Sequence, residues 1–141
     1  TSCTSKKKFN PSNLLNFDDC KDKTILEQRT EELKEYKCKA IDMYKGLQHT
    51  NVVEAVNILR DTFKDITVDV NIISAGYGLL KENDIIVPYE VTFNTMKARQ
   101  FEAWVNYLNI NRDVNETIKD YDIIFLLLGG KYLRTLKIKK N

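Results

Sequence analysis

The stretch from Val68 to Phe93, VDVNIISAGYGLLKENDIIVPYEVTF, constrains the fold more than any other part of this chain. It opens on an apolar run rich in β-branched residues, Val68 to Ile73, which predicts a buried strand. The run breaks at Ser74-Ala75-Gly76-Tyr77-Gly78, where two glycines flank a tyrosine. Glycine tolerates positive φ and close approach to the main chain, so a tight, backbone-exposed turn is expected there. Pro88-Tyr89 marks a second turn, because proline fixes its own φ and pushes Val87 toward an extended conformation. The backbone then returns to an extended run from Glu90 to Phe93. A loop this aromatic, at the carboxyl end of a strand, sits where open α/β sheets bind ligands.

A second apolar run, Ile123 to Leu128, is bounded by Asp122 and Gly129-Gly130. An uninterrupted run of that kind reads as a strand buried on both faces. Helical patterns surround the two runs. The first extends from a cap near Thr24, with Glu27 completing a capping box, to a C-cap near Gly46, with a break before Cys38 as one option. The second carries Val52, Val56, Leu59 and Phe63 on one face after a cap at Asn51. The third spans Thr95 to Leu108 with Phe101, Trp104 and Val105 on its apolar face. A short fourth covers Val114 to Tyr121. Helices alternating with two buried strands predict one α/β domain over residues 1–141, in three layers, with a mainly parallel central sheet flanked by helices.

Composition narrows the function classes. The net charge of +2 leaves any affinity for nucleic acid to a local patch. The basic tail, with Lys131, Arg134, Lys137, Lys139 and Lys140, is the candidate patch, and DNA or a nucleotide is the candidate partner. The longest apolar run is far too short to cross a bilayer, so no membrane partner is expected. Three cysteines without CxxC spacing favour a reducing, cytoplasmic setting over a disulfide framework. With a single histidine, no metal site and no cofactor are expected, and there is no triad or Walker spacing. The oligomeric state is not legible. Near the start, Ser2-Cys3-Thr4-Ser5 followed by Lys6-Lys7-Lys8 has the makings of a phosphate-binding loop, or of a solvated basic segment.

Several blocks together resemble a known group. Ile73 to Leu80, then Asp84-Ile85-Ile86 and Pro88-Tyr89, resemble the family of the peroxide-stress protein YaaA and the small proteins grouped as DUF6884. The leading Ser2-to-Lys8 loop, the element Ala40-Ile41-Asp42-Met43-Tyr44-Lys45-Gly46, and Gly129-Gly130-Lys131-Tyr132-Leu133 match further blocks of those families in the same order. Related sequences carry a hydrophobic strand ahead of the Cys-Lys loop. This chain begins inside that loop, so the strand either lies upstream or is lacking. The resemblance implies an α/β module associated with DNA, a link to stress response, and a kinship with deazapurine-modification systems, without fixing a reaction.

The residues suggest an anionic ligand. Cys3, Lys7, Ser74, Gly76, Tyr77, Gly78 and Tyr89 are expected to line one cleft, with Pro88 and Tyr44 beside it. Cys3, Lys7 and Tyr77 are the candidates for chemistry: a thiol nucleophile, a charge partner and a stacking platform. Three functions remain open: a nucleic-acid-associated module with a nucleotide-sized pocket, extending to a base- or nucleotide-processing enzyme; a DNA-binding protein using the basic tail alone; and a non-catalytic assembly subunit.

Overall fold

The computed structural model describes residues 1–137. Its elements run α1 (Phe17–Lys21), α2 (Lys23–Glu32), β1 (Cys38–Lys39), α3 (Ala40–Met43), α4 (Leu47–Thr62), β2 (Asn71–Ser74), β3 (Gly78–Lys81), β4 (Ile85–Ile86), α5 (Ala98–Tyr107), α6 (Ile110–Thr117) and α7 (Gly130–Leu133). The fold is a mixture of helices and short strands. A mainly parallel central sheet is not what the described strands form. β2 and β3 make an antiparallel hairpin, with Ile72 opposite Leu80 and Ser74 opposite Gly78, and β1 pairs antiparallel with β4. Among the described residues, parallel pairing is confined to two isolated bridges, Ser2 with Ile73 and Leu15 with Tyr89.

The first apolar run forms β2 at its carboxyl half, as its β-branched residues require. Ile72 and Ile73 lie in the core. The predicted strand at Ile123 to Leu128 does not form. Its residues have no strand partner, and Ile123 and Phe125 are 72% and 76% exposed. Apolar composition fixes a preference for burial, but a strand also needs a neighbour for its backbone donors and acceptors. None of the described residues supplies one.

Helix boundaries follow the local caps. Asp22, rather than Thr24, caps α2, its carboxylate accepting from the N–H groups of Thr24 and Ile25 at 2.8 and 3.1 Å. The long pattern toward Gly46 is divided by β1 and α3, and Gly46 opens α4 instead of closing its predecessor. Asn51 therefore lies inside α4. Of the α4 stripe only Val56 is buried, Val52 is half-buried, and Leu59 and Phe63 face outward. Helix α5 buries Phe101, Trp104 and Val105, as its 3- and 4-residue spacing dictates. The fourth pattern starts earlier than its predicted Val114, at Ile110, and Asn109 ahead of it takes a left-handed φ of 54°.

His49 is placed in the core, 1% exposed and edge-on to Tyr44. Its Nε2 lies 2.8 Å from the Ile41 carbonyl, so Nε2–H donates, while the buried Nδ1 has no partner. Burial, the largest cause, lowers its pKa below 6.5. The folded state thus binds this proton less readily than the unfolded chain, and stability falls as pH drops below 6.5. The urea midpoint is expected to decline between pH 6.5 and about 5, and His49→Gln is expected to flatten that part of the profile. An unchanged slope in His49→Gln would assign the effect elsewhere.

Candidate functional site

The site is built where three segments meet beside the end of β2. The first is the loop after Ser2. Cys3 N–H donates to the Ile73 carbonyl at 2.9 Å, which fixes the start of the loop against β2. Lys8 N–H to the Met43 carbonyl and Lys45 N–H to the Lys6 carbonyl, at 2.7 and 2.8 Å, tie its far end to the Tyr44 segment. The second segment is Tyr89 to Asn94, anchored by Glu90 N–H donating to the Leu15 carbonyl at 2.7 Å. The third is α7, which brings Tyr132. Together they enclose a cleft of about 550 Å³, whose lining includes Cys3, Lys7, Tyr89, Glu90, Thr92 and Tyr132.

Behind the cleft runs a buried chain of hydroxyls. The N–H groups of Gly76 and Tyr77 donate to Ser74 Oγ at 3.2 and 3.1 Å. Ser74 Oγ–H donates to the Tyr89 hydroxyl at 2.7 Å, and Tyr89 and Tyr44 share a hydrogen bond of 2.9 Å. Burial, followed by the nearby Cys3, raises the pKa of both phenols above the ordinary tyrosine range. The chain therefore carries protons rather than charge.

On the open side, the Lys7 ammonium sits 4.5 Å from the centre of the Tyr89 ring. It reaches the carbonyls of Thr4 and Ser5 only at 3.5 Å, and among the described residues it has no ion pair within 4.0 Å. Burial lowers its pKa, while Cys3 and Glu90 act in the opposite direction. Cys3 Sγ lies 3.0 Å from the Tyr132 hydroxyl. Burial, then the nearby Cys3, raises the Tyr132 pKa too, so that phenol is a proton donor at neutral pH. A thiolate at Cys3 would find a hydroxyl donor and an ammonium beside it. A neutral thiol there is a small buried side chain with a weak S–H.

Of the residues expected at the cleft, Cys3, Lys7 and Tyr89 come together in its lining. Ser74 and Tyr44 stand directly behind it. Pro88 is buried, and its carbonyl accepts from Leu15 N–H at 3.4 Å. The two glycines shape the wall without lining the cleft. A Cβ on Gly76 would come within 2.7 Å of the Tyr89 ring. Gly78 has φ +84°, and a Cβ there would meet the Leu108 carbonyl at 2.9 Å. Tyr77 turns inward: its hydroxyl donates to the Val87 carbonyl at 3.2 Å, and its ring packs edge-on to Tyr89 at 5.2 Å. Tyr132 takes the open aromatic position instead. Its sequence signal was the small-residue turn Gly129-Gly130 leading into α7.

The basic residues stand elsewhere. Lys131 and Arg134 lie over the Phe101 ring at 5.8 and 5.5 Å, and Lys137 is exposed. Lys139 and Lys140 lie outside the described residues. A more open hollow, lined in part by Asp42, Asn57, Arg60 and Glu82, is held by the Arg60–Glu82 ion pair at 2.6 Å. Arg60 also donates to the Val68 carbonyl, so its guanidinium is occupied by the fold.

Residues 28–141 match the family model described as "Family of unknown function (DUF6884)". The chain belongs to that family. The matched span takes in the Tyr44 segment, the Ser74-to-Gly78 turn, Pro88-Tyr89 and Gly129 to Tyr132, whereas the Cys3–Lys7 loop precedes it. No curated protein and no solved structure matches the chain.

Proposed function

We propose that this DUF6884 chain is a nucleic-acid-associated protein that binds a phosphate-bearing nucleotide in the cleft between the Cys3–Lys7 loop and α7. The observation that carries this reading is Lys7: a half-buried ammonium, held over an aromatic ring, aimed into a cleft and without a carboxylate within ion-pair distance among the described residues. A partly desolvated cation gains most from an anion that replaces its lost water, and charge-assisted hydrogen bonds are the strong ones. The hydroxyls of Thr92 and Tyr132 add neutral donors, and the Tyr132 ring offers a face to a base. Glu90 at the rim disfavours binding of ligands with several negative charges on that side.

Calorimetric titration with a nucleoside 5′-monophosphate and with the corresponding nucleoside tests the reading. The monophosphate is expected to bind more tightly than the nucleoside. Lys7→Met is expected to weaken the monophosphate by about tenfold to a hundredfold, the effect of losing one charge-assisted hydrogen bond of about 1.5–3 kcal/mol. It should leave the melting temperature nearly unchanged. Equal affinities for Lys7→Met and the parent chain, or no binding of either compound, would remove the proposal.

A further inference from the structure

Each residue from Ile123 to Leu127 is apolar and retains between 42% and 76% of its surface in solvent. Among the described residues, no backbone–backbone hydrogen bond involves residues 122–128. The run is nonetheless held at both ends. The Tyr121 hydroxyl donates to the Asp69 carboxylate at 2.7 Å, and the Leu127 carbonyl accepts from Gln48 Nε2 at 3.2 Å. A fixed apolar segment with free amides and carbonyls is a template for pairing with another chain.

The Leu127 bond decides which edge is open. In an extended backbone the N–H and C=O groups of successive residues point alternately to opposite sides. With the Leu127 carbonyl turned toward the first turn of α4, the groups of Ile124, Leu126 and Leu128 turn away from that helix.

The charges at the two ends decide the direction of pairing and the occupant. Asp120 and Asp122 precede the run, offset in part by Lys119, while Lys131 and Arg134 follow it. Among the described residues, none of Asp120, Asp122, Lys131 and Arg134 has an ion pair within 4.0 Å. Two parallel copies of the run would set acid against acid and base against base. Two antiparallel copies set an acidic end beside a basic end, and do so twice.

We infer that residues 123–128 pair antiparallel with the same run of a second copy of this chain, about a two-fold axis at Leu126. Directly opposite side chains lie on one face of a sheet, so a two-fold axis through such a ladder places a residue opposite its own counterpart. Leu126 is the open-edge residue that gives the fullest overlap of the two runs. It exchanges both N–H···O bonds with the partner's Leu126, and Ile124 does the same with the partner's Leu128. Asp122 then comes beside the partner's Lys131. The pair closes on itself, because the other edge of each run faces α4.

Sedimentation equilibrium and amide exchange test this. The parent chain is expected to be a dimer at micromolar concentration. In it the amides of Ile124, Leu126 and Leu128 should exchange at least about tenfold more slowly than those of Ile123 and Phe125. Leu126→Pro removes the central N–H from an exposed position and is expected to give a monomer. Asp122→Lys is expected to weaken the dimer about tenfold, since the repulsion is introduced twice, and adding Lys131→Asp to it should restore the affinity. The near-ultraviolet dichroism of Trp104 is expected to be alike in all four chains. A monomeric parent, which leaves the run to a different partner, would overturn the inference. So would assemblies larger than a dimer, a dimer that persists in Leu126→Pro, even exchange along the run, or no recovery on exchanging the two charges.

Discussion

Tyr89→Ala is expected to destabilise the protein by about 3–5 kcal/mol, the usual cost of emptying a buried aromatic site. Tyr89 is fully buried and joins the cleft to the hydroxyl chain behind it. Its ring supports Lys7 and packs against Tyr44, Tyr77 and Gly76, and its hydroxyl joins Ser74 to Tyr44. Against a total stability of roughly 5–15 kcal/mol, such a loss is detectable as a large drop in the urea midpoint. Tyr89→Phe separates ring from hydroxyl. It leaves the Ser74 and Tyr44 hydroxyls short of a partner in the core, at about 1–3 kcal/mol, while keeping the aromatic face under Lys7. Nucleotide affinity is therefore expected to hold in Tyr89→Phe even as the midpoint falls. An unchanged midpoint in that variant would mean that the hydroxyl chain contributes nothing net to stability.

Trp104→Ala is expected to cost a similar amount, about 3–5 kcal/mol, for a different reason. The Trp104 ring is 4% exposed, lies edge-on to Phe17 at 4.6 Å and stacks on Tyr107 at 4.9 Å. Its Nε1–H donates to the Ala75 carbonyl at 2.8 Å, inside the β2–β3 turn. Removing it opens a cavity and strips a buried carbonyl of its donor. Trp104→Phe retains much of the volume and loses the hydrogen bond, so a smaller drop of about 1–3 kcal/mol is expected. Because the Ala75 carbonyl belongs to the turn whose N–H groups hold Ser74, nucleotide affinity should weaken with Trp104→Phe more than with an exposed change such as Tyr107→Phe. Equal affinities in those two variants would show that the turn holds its shape without the indole.

What the sequence determined by itself was local. The β-branched residues before Ser74 required a strand, and Gly76 and Gly78 required a tight turn after it. The spacing of Phe101, Trp104 and Val105 required a buried helix face. Each of these rests on backbone sterics or on a short period, and neither depends on distant partners. The first loop and the Ser74-to-Gly78 turn were expected to leave parallel strands of one sheet; β2 and β3 instead pair antiparallel, and Cys3, Lys7 and Tyr89 line one cleft without that sheet.

The tertiary structure alone decided the rest. Tyr77 and Tyr89 are the same residue type in similar turn-rich surroundings, yet one hydroxyl closes on Val87 and the other enters the chain to Ser74 and Tyr44. Side-chain direction in a turn follows from what packs on it, and Leu108 and Trp104 arrive from far along the chain. Residues 123–128 show the same dependence. Their composition specifies burial between two neighbours, but a strand exists only where neighbouring backbones present donors and acceptors to it. None of the described residues presents such a neighbour, so a run with the strongest apolar character in the sequence stands unpaired.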